Sequence, residues 1–340
     1  MTILGIETSC DETSASLVKK QNSRLEVLSN VISSSSTLHS KTGGIIPEAA
    51  AREQIKFIIP VIKQVMEESG LDFYEPTIDA IAVTVGPGLI GSLLVGVETA
   101  KTLSLVWNKP IICVNHLLGH IYANFIGNPK IDFPALSLIV SGGHTDLFLL
   151  KDHGKIKWIG GTRDDAAGEA FDKIGRMLDL PYPGGPTIEK LAAKGVKGKF
   201  VLPRPMLNSK DFDFSFSGLK TAVYNMVKNK KLNDQQIKDI CLEVQNAIVD
   251  VLVKKALKAS QKFDVKSLLL GGGVAANQTL RDQLELKIEN SKFKIPFFVP
   301  EKRLCTDNGA MIAAAAFYNP KIMPLDKIEA NPSLYFNTAQ

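Results

Sequence analysis

Apolar strand-like runs that end in polar or glycine-rich turns constrain this chain more than any other feature. Residues 3–7 run into a polar turn at 8–13 and return over 14–19, with a further alternating segment at 25–32. Period-two alternation of this kind reads as a meander with a polar loop at its tip. The unit recurs: residues 135–140 are apolar, Ser141-Gly142-Gly143-His144-Thr145 is a polar turn, and residues 147–150 return as a strand. The halves share an order of elements, not a sequence, so they suggest a topological repeat. A third junction, residues 267–270 running into Gly271-Gly272-Gly273, precedes a helical run from Ala275.

Helices alternate with these strands. After Pro47, the residues Ile55, Ile58, Ile59, Ile62, Val65 and Met66 follow helical spacing, with Gly70 as a stop. A strand at 80–85 ends in Gly86-Pro87-Gly88, an apolar helix spans 89–107, and a strand follows at 111–114. The order predicts an α/β fold with mixed sheets, and ligands of such folds gather beyond strand ends. The chain has 340 residues, and at roughly 150 residues per domain that predicts about two domains. Residues 194–213 have weak periodicity and read as a surface loop or an insertion.

Composition narrows the function classes. Hydrophobic residues make up 45% and charged residues 22%, the balance of a soluble globular protein. Cys10, Cys113, Cys241 and Cys305 form no CxxC or zinc spacing, which argues against a disulfide framework and for a reducing compartment. Met1 and Thr2 lead straight into the first strand, so no targeting signal is expected. The run 89–107 is interrupted by Gly91, Gly96, Glu98 and Lys101 and is expected to be a buried helix, not a membrane span. The formal charge is +5, with basic clusters at Lys228, Lys230 and Lys231 and at Lys254, Lys255 and Lys258. Such clusters pair with phosphates or, more often, form solvated helix faces.

His116 and His120 are four residues apart, so on a helix both imidazoles share one face. Neutral imidazoles hold borderline metals such as iron or zinc, and a third, carboxylate ligand is then needed. Asp307, at the start of a late Ala-rich helix, is the candidate; the alternative is two unrelated histidines. A zincin motif would place Glu after the first His, and Leu117 stands there, so the motif carries no general base. Glu7, Asp11 and Glu12 crowd acid into the first turn, for catalysis or equally for capping. Asp164 and Asp165 precede the helical run 166–178, where an N-cap role is the default, and Asp172 inside it needs a partner or ligand if it faces inward. The glycine turns let main-chain N–H groups approach an anion, with Ser141 or Thr145 adding hydroxyls. No Walker A sequence is present, yet several such turns together favour nucleotide binding.

Taken in order, the segments ILGIETSCDETSASL (3–17), GGIIPEAAAR (43–52), VGPGLIGSLLVG (85–96), His116 with His120, VSGGHT (140–145), AGEAFD (167–172), YPGGP (182–186), FSFSGL (214–219) and GGGVAAN (271–277) resemble the tRNA threonylcarbamoyltransferase family over nearly the whole chain. The resemblance implies an actin-like, Hsp70-like and sugar-kinase-like ATPase fold. It implies two RNase-H-like lobes, 1–130 with 306–330 and 131–305, and a nucleotide and metal cleft between them. It implies a metal-dependent acyltransferase of the cytoplasm that moves a threonylcarbamoyl group from threonylcarbamoyl-adenylate to N6 of the adenine 3′ of the anticodon in tRNAs reading ANN codons, releasing AMP. Carried over by position, His116, His120 and Asp307 are the expected metal ligands, for Fe2+ or else Zn2+ or Mg2+. Ile139, Val140, Ser141, Gly142, Gly143, Asp172, Gly185 and Asn277 are the expected substrate residues, for the adenylate or ATP/ADP, and Asp11 and Glu12 the expected catalytic ones. Expected partners are tRNA, an inactive paralogue of the same fold and a small P-loop ATPase, with no membrane. Two departures stand out: Gln54, where many members have His and little consequence is expected, and Glu189, where some members place a nucleotide-holding Asp, which is left out of the site.

Overall fold

The computed structural model describes residues 1–22, 24–35, 44–127 and 130–335; Gly43, which opens one of the motifs above, lies outside them. The chain divides into two compact units, Met1–Ile131 with Pro300–Gln340, and Asp132–Val299.

The first unit is built on a five-stranded sheet. Its strands are β1 (Thr2–Glu7), β2 (Glu12–Gln21), β3 (Arg24–Ser34), β4 (Ala80–Gly86) and β5 (Ile111–Asn115), and its helices are α1 (Pro47–Glu68), α2 (Ile90–Trp107) and α3 (His116–Tyr122). The sheet order is β3-β2-β1-β4-β5, antiparallel across the meander and parallel from β1 onward. The second unit carries β6 (Ala135–Val140), β7 (Thr145–Asp152), β8 (Lys155–Gly161), α4 (Ala167–Met177), α5 (Gly184–Ala192), α6 (Ser217–Val227), α7 (Asp234–Lys262), β9 (Ser267–Gly271), α8 (Gln278–Glu289) and β10 (Phe297–Phe298). Its sheet runs β10-β9-β6-β7-β8, again an antiparallel meander extended by parallel strands. The repeat expected from the two strand-turn-strand units is thus a repeat of whole sheet topology. The last helix, α9 (Gly309–Tyr318), returns to the first unit.

Alternation along β1 decides what each face of the first sheet meets. Leu4 and Ile6 join a core with Ile62, Val65 and Met66 of α1 and Val97, Ala100 and Leu103 of α2. Ile3, Gly5 and Glu7 face the other way, where α9 packs. A Cβ on Gly5 would lie 2.0 Å from the Gly309 carbonyl oxygen, so only glycine admits this approach. The Gly309 N–H also donates to Ser14 Oγ of β2 at 2.9 Å.

Three local expectations change. α2 is long and apolar enough to cross a membrane by length and composition, with mean hydropathy 1.2. It is not buried all round: Leu93, Val97, Ala100 and Leu103 lie against the sheet, while Ile90, Leu94, Leu105 and Val106 are exposed. After β9 the chain makes a short 3-10 turn, Gly273–Ala276, before α8 begins. Asp164 and Asp165 do not cap α4, whose N-cap is Ala166. Asp164 accepts from the Phe216 and Ser217 N–H groups at 2.8 and 3.2 Å and so anchors the start of α6, and Asp165 pairs with Lys173 and Lys220.

The Gly5→Ala substitution is expected to destabilise the protein by about 3 kcal/mol, because backbone and not a flexible side chain must give way. A fall in the urea midpoint at unchanged slope checks this; a wild-type midpoint would mean that α9 does not sit against β1 as described.

Candidate metal centre and nucleotide cavity

α3 begins at the end of β5, and Asn115 caps it by accepting from the Leu117 N–H at 2.8 Å. One helical turn then brings the His116 and His120 rings to 4.7 Å between centroids. Asp307, two residues before α9, sends Oδ1 to 3.2 Å from His120 Nε2 and 3.6 Å from His116 Nε2. One ligand atom from each of the three residues lies within 4.8 Å of the others.

The surroundings of this set suit a metal. His116 Nδ1 is held by Glu7 Oε2 at 3.1 Å and by Ser9 Oγ at 3.0 Å, which leaves Nε2 turned toward Asp307. A carboxylate on the far nitrogen of a ligating imidazole fixes its tautomer and orientation. Both ring nitrogens of His120 are buried, and among the described residues Nδ1 has no hydrogen-bond partner and Nε2 has only the Asp307 carboxylate near it, an arrangement that costs stability unless a ligand supplies a partner. Two imidazoles and one carboxylate form the donor set of borderline divalent ions such as Fe2+ or Zn2+.

Glu7 is the residue that the expected site list lacks, although it stands in the acidic turn. Its Oε1 accepts from the Ser9 N–H at 2.5 Å and its Oε2 from Thr84 Oγ1 at 2.6 Å, so it is fully engaged behind His116. Gln54 also departs from expectation. It is buried, and its Nε2 reaches the carbonyl oxygens of Cys10 at 3.0 Å and Glu12 at 2.9 Å. The residue therefore ties down the acidic turn from α1, a consequence that its sequence position alone concealed. Burial, followed by the nearby Asp307 and Asp11 carboxylates, pushes the Glu12 carboxyl well above its usual range.

The second unit holds a separate cavity of about 160 Å³. Gly142, Asp172, Gly185 and Asn277 line it, as do Gly168, Phe171, Pro186 and Glu189. Of the expected substrate residues, Ile139 and Val140 are buried within β6, and Ser141 and Gly143 belong to the turn that presents Gly142. That turn is closed by the Ser141 N–H donating to the His144 carbonyl at 2.8 Å, and Ser141 Oγ accepts from the His144 N–H at 3.1 Å.

Side chains fix the cavity walls through backbone groups. Asp172 Oδ1 accepts from the Gly184 N–H at 2.7 Å, which seats the start of α5. Asn277 Oδ1 accepts from the Leu280 N–H at 2.9 Å, while its Nδ2 donates to the buried Gln245 at 3.0 Å. Glu189, excluded on sequence, lines the cavity and accepts from the Gln278 N–H at 2.7 Å, joining α5 to α8. Gly272 adopts φ +89°, and a Cβ there would lie 2.3 Å from the Val140 carbonyl oxygen, so the turn after β9 requires glycine. The first turns of α5 and α8 thus line the cavity with their Gly184, Gln278 and Leu280 N–H groups held by Asp172, Glu189 and Asn277, and a helix start of this kind is where phosphate is usually held.

Two outcomes are expected at the metal centre. Replacing Glu7 with Gln should weaken divalent-ion binding about 10- to 100-fold, read by competition with a chelator. Burial disfavours the charged form of His116, but the Asp307 and Glu7 carboxylates outweigh it and raise its pKa from 6.5 to about 9. Because the folded value is the higher, protonation stabilises the metal-free protein fully below 6.5 and ceases to do so as the pH rises through about 9. Metal binding needs the neutral ring, so the rise in melting temperature on adding Zn2+ should grow across that window; a constant rise would exclude His116 as a ligand.

Sequence profiles of known families match this chain at residues 26–314 with tRNA N6-adenosine threonylcarbamoyltransferase. The enzyme of that name from Syntrophomonas wolfei is 48% identical over 336 residues, covering 98% of this chain and 97% of its own. That of Bacillus subtilis is 49% identical over 317 residues, covering 93% and 89%. Among solved structures, full-length HypF in a phosphate- and nucleotide-bound form aligns with a TM-score of 0.61 at 14% identity, covering 94% of this chain and 55% of its own. Component A of the Acidaminococcus fermentans (R)-2-hydroxyglutaryl-CoA dehydratase aligns at 0.55 and 14%, covering 93% and 96%. The structural likenesses speak for the two-lobed ATPase fold alone. With near-full-length identity to curated relatives, the chain belongs to the tRNA N6-adenosine threonylcarbamoyltransferase family.

Proposed function

We propose that this chain transfers the threonylcarbamoyl group of threonylcarbamoyl-adenylate to N6 of the adenine 3′ of the anticodon, in tRNAs reading ANN codons, and releases AMP. The observation that carries the reading is the identity of 48% across 98% of the chain and 97% of a relative named for this activity. N6 bonds to the carbamoyl carbon, the bond from that carbon to the adenylate oxygen breaks, and N6 gives up one proton.

Each unit has its own part. In the second, the main-chain N–H groups around Gly142 and Gly185 hold the adenylate, while Asp172, Glu189 and Asn277 fix the cavity wall through the N–H groups of Gly184, Gln278 and Leu280. In the first, His116, His120 and Asp307 hold one divalent ion, Fe2+ or else Zn2+ or Mg2+, with Glu7 orienting His116. Such an ion supplies Lewis acidity to a carbonyl oxygen. An adenine amine is a weak nucleophile, so positioning dominates the rate. We assign the proton of N6 to Asp11, because burial and the neighbouring carboxylates push the Glu12 carboxyl up and so favour its protonated form. On this reading the reaction runs in the cytoplasm, with an inactive paralogue of the same fold and a small P-loop ATPase as helpers. The exposed apolar residues Ile55 and Ile59 of α1 and Ile90 and Leu94 of α2 offer a face for a protein partner.

Protein incubated with threonylcarbamoyl-adenylate, unmodified tRNA and the helper proteins is expected to yield the modified nucleoside and AMP in equal amounts. His116→Ala should lower the single-turnover rate at least about 100-fold, and Asp11→Asn should lower it with metal content unchanged. A phosphorylated product without AMP would replace the reading with a kinase on the same fold.

A further inference from the structure

The positive charge of this chain is concentrated in one stretch. Residues 190–238 contain eleven Lys and Arg against three Asp and no Glu, whereas the whole chain has 40 basic and 35 acidic residues. The remainder is therefore more acidic than basic. Within the stretch, Arg204 is committed to Glu243 and Asp250, and Lys220 to Asp165. Lys190, Lys194, Lys197, Lys199, Lys230 and Lys231 are exposed, and none makes an ion pair among the described residues.

The fold gathers these lysines around the start of α7. Lys190 lies on the last turn of α5, and Lys194 follows in the turn just past its C-cap, Ala193. The chain then folds back on α7: the Val196 N–H donates to Asp239 at 2.7 Å, and Gln235 Nε2 donates to the Lys194 carbonyl at 3.3 Å. Gly195 sits so close that a Cβ would lie 2.6 Å from the Lys238 carbonyl oxygen. Lys230 and Lys231 lie three and two residues before Asn233, the N-cap of α7. Asp239 is buried under the loop and spent on Val196 and Gln235, which leaves Asp234 as the exposed counter-charge of this surface. Lys190 directly follows Glu189, a wall residue of the nucleotide cavity, so the basic surface starts where the cavity wall ends.

We propose that this lysine surface docks the sugar-phosphate backbone of the RNA substrate beside the nucleotide cavity. The proposal rests on the transferase reading and adds to it the face that receives the RNA. Lysines are strongly hydrated point charges suited to phosphate oxygens. Clustered in excess over exposed acid, they draw a polyanion whose bound cations are released on contact. An acidic protein is the rival occupant; protein interfaces are depleted in lysine at their centres, which favours RNA here.

The test measures fluorescence anisotropy of an unmodified tRNA transcript against the full chain, helper proteins present, over a series of salt concentrations. The triple variant K194A/K197A/K231A is compared with wild type and with K194R/K197R/K231R. The alanine variant is expected to bind about tenfold more weakly at low salt and to lose about one unit of log–log salt slope per lysine removed. The arginine variant is expected to bind as wild type, and all three proteins to melt alike. An alanine variant with wild-type affinity and slope overturns the proposal and leaves the transferase reading standing. Wild-type protein that binds no tRNA overturns the reading itself. Retained tRNA binding with loss of a helper protein on gel filtration overturns the proposal in favour of an acidic protein partner.

Discussion

The contact of α9 with β1 is the constraint on which the first unit's chemistry depends. Gly5 and Gly309 allow helix backbone to lie directly on strand backbone, and Asn308 then caps α9 by accepting from the Met311 N–H at 3.0 Å. Asp307 is thereby delivered from the far end of the chain to two histidines nearly two hundred positions earlier. The same alternation that turns Gly5 toward α9 turns Glu7 toward His116. One strand thus sets both the place of Asp307 and the support for His116.

The second unit solves a different problem, how to fix the turns and helix starts that wall its cavity. Asp172, Glu189 and Asn277 each spend a side-chain oxygen on the N–H of a neighbouring element. Gln245 adds a second layer, accepting from Asn277 and donating to Thr279 Oγ1 at 2.9 Å. A buried amide with both ends satisfied resists rotation better than a lone cap. Asn277 therefore acts in the wall as a fixed member, and its effect on a ligand passes largely through the start of α8.

Much of this was legible in the sequence where a residue's role follows from local pattern. The strand-turn-strand units were read as a repeat, and the two sheets share one topology. The pair His116 and His120 follows from helical spacing, and Asp307 is brought to it. Roles set by contacts between distant segments were not legible. Nothing in the local sequence tells that Gln54 ties Cys10 and Glu12, or that Asp164 serves α6 and not the helix beside it. Glu189 was set aside for a one-residue departure, although its extra methylene still lets the carboxylate reach the Gln278 N–H. The half-exposed α2 was misjudged because an apolar stretch does not reveal which of its sides the sheet will cover.

The acidity of the first unit's site links these observations. Glu7, Glu12 and Asp307 converge near two buried imidazoles, and such charges are expensive to hold in a low-dielectric interior unless cations or protons accompany them. Burial pushes Glu12 up, with Asp307 and Asp11 adding to the effect, and burial with Asp11 does the same to the Cys10 thiol. His116 is raised to about 9 by the carboxylates despite its burial. His120, which has burial and then the His116 charge against it, moves down despite its contact with Asp307. One imidazole is thus held charged and the other neutral, and the proton on His116 supplies part of the positive charge that the carboxylates require. A divalent ion would meet the same electrostatic demand more fully, and it would give His120 Nε2 a partner beside Asp307. The carboxylates of this cluster call for positive charge, and the His-x-x-x-His turn carries it as the proton on His116 or would hold it as a bound ion.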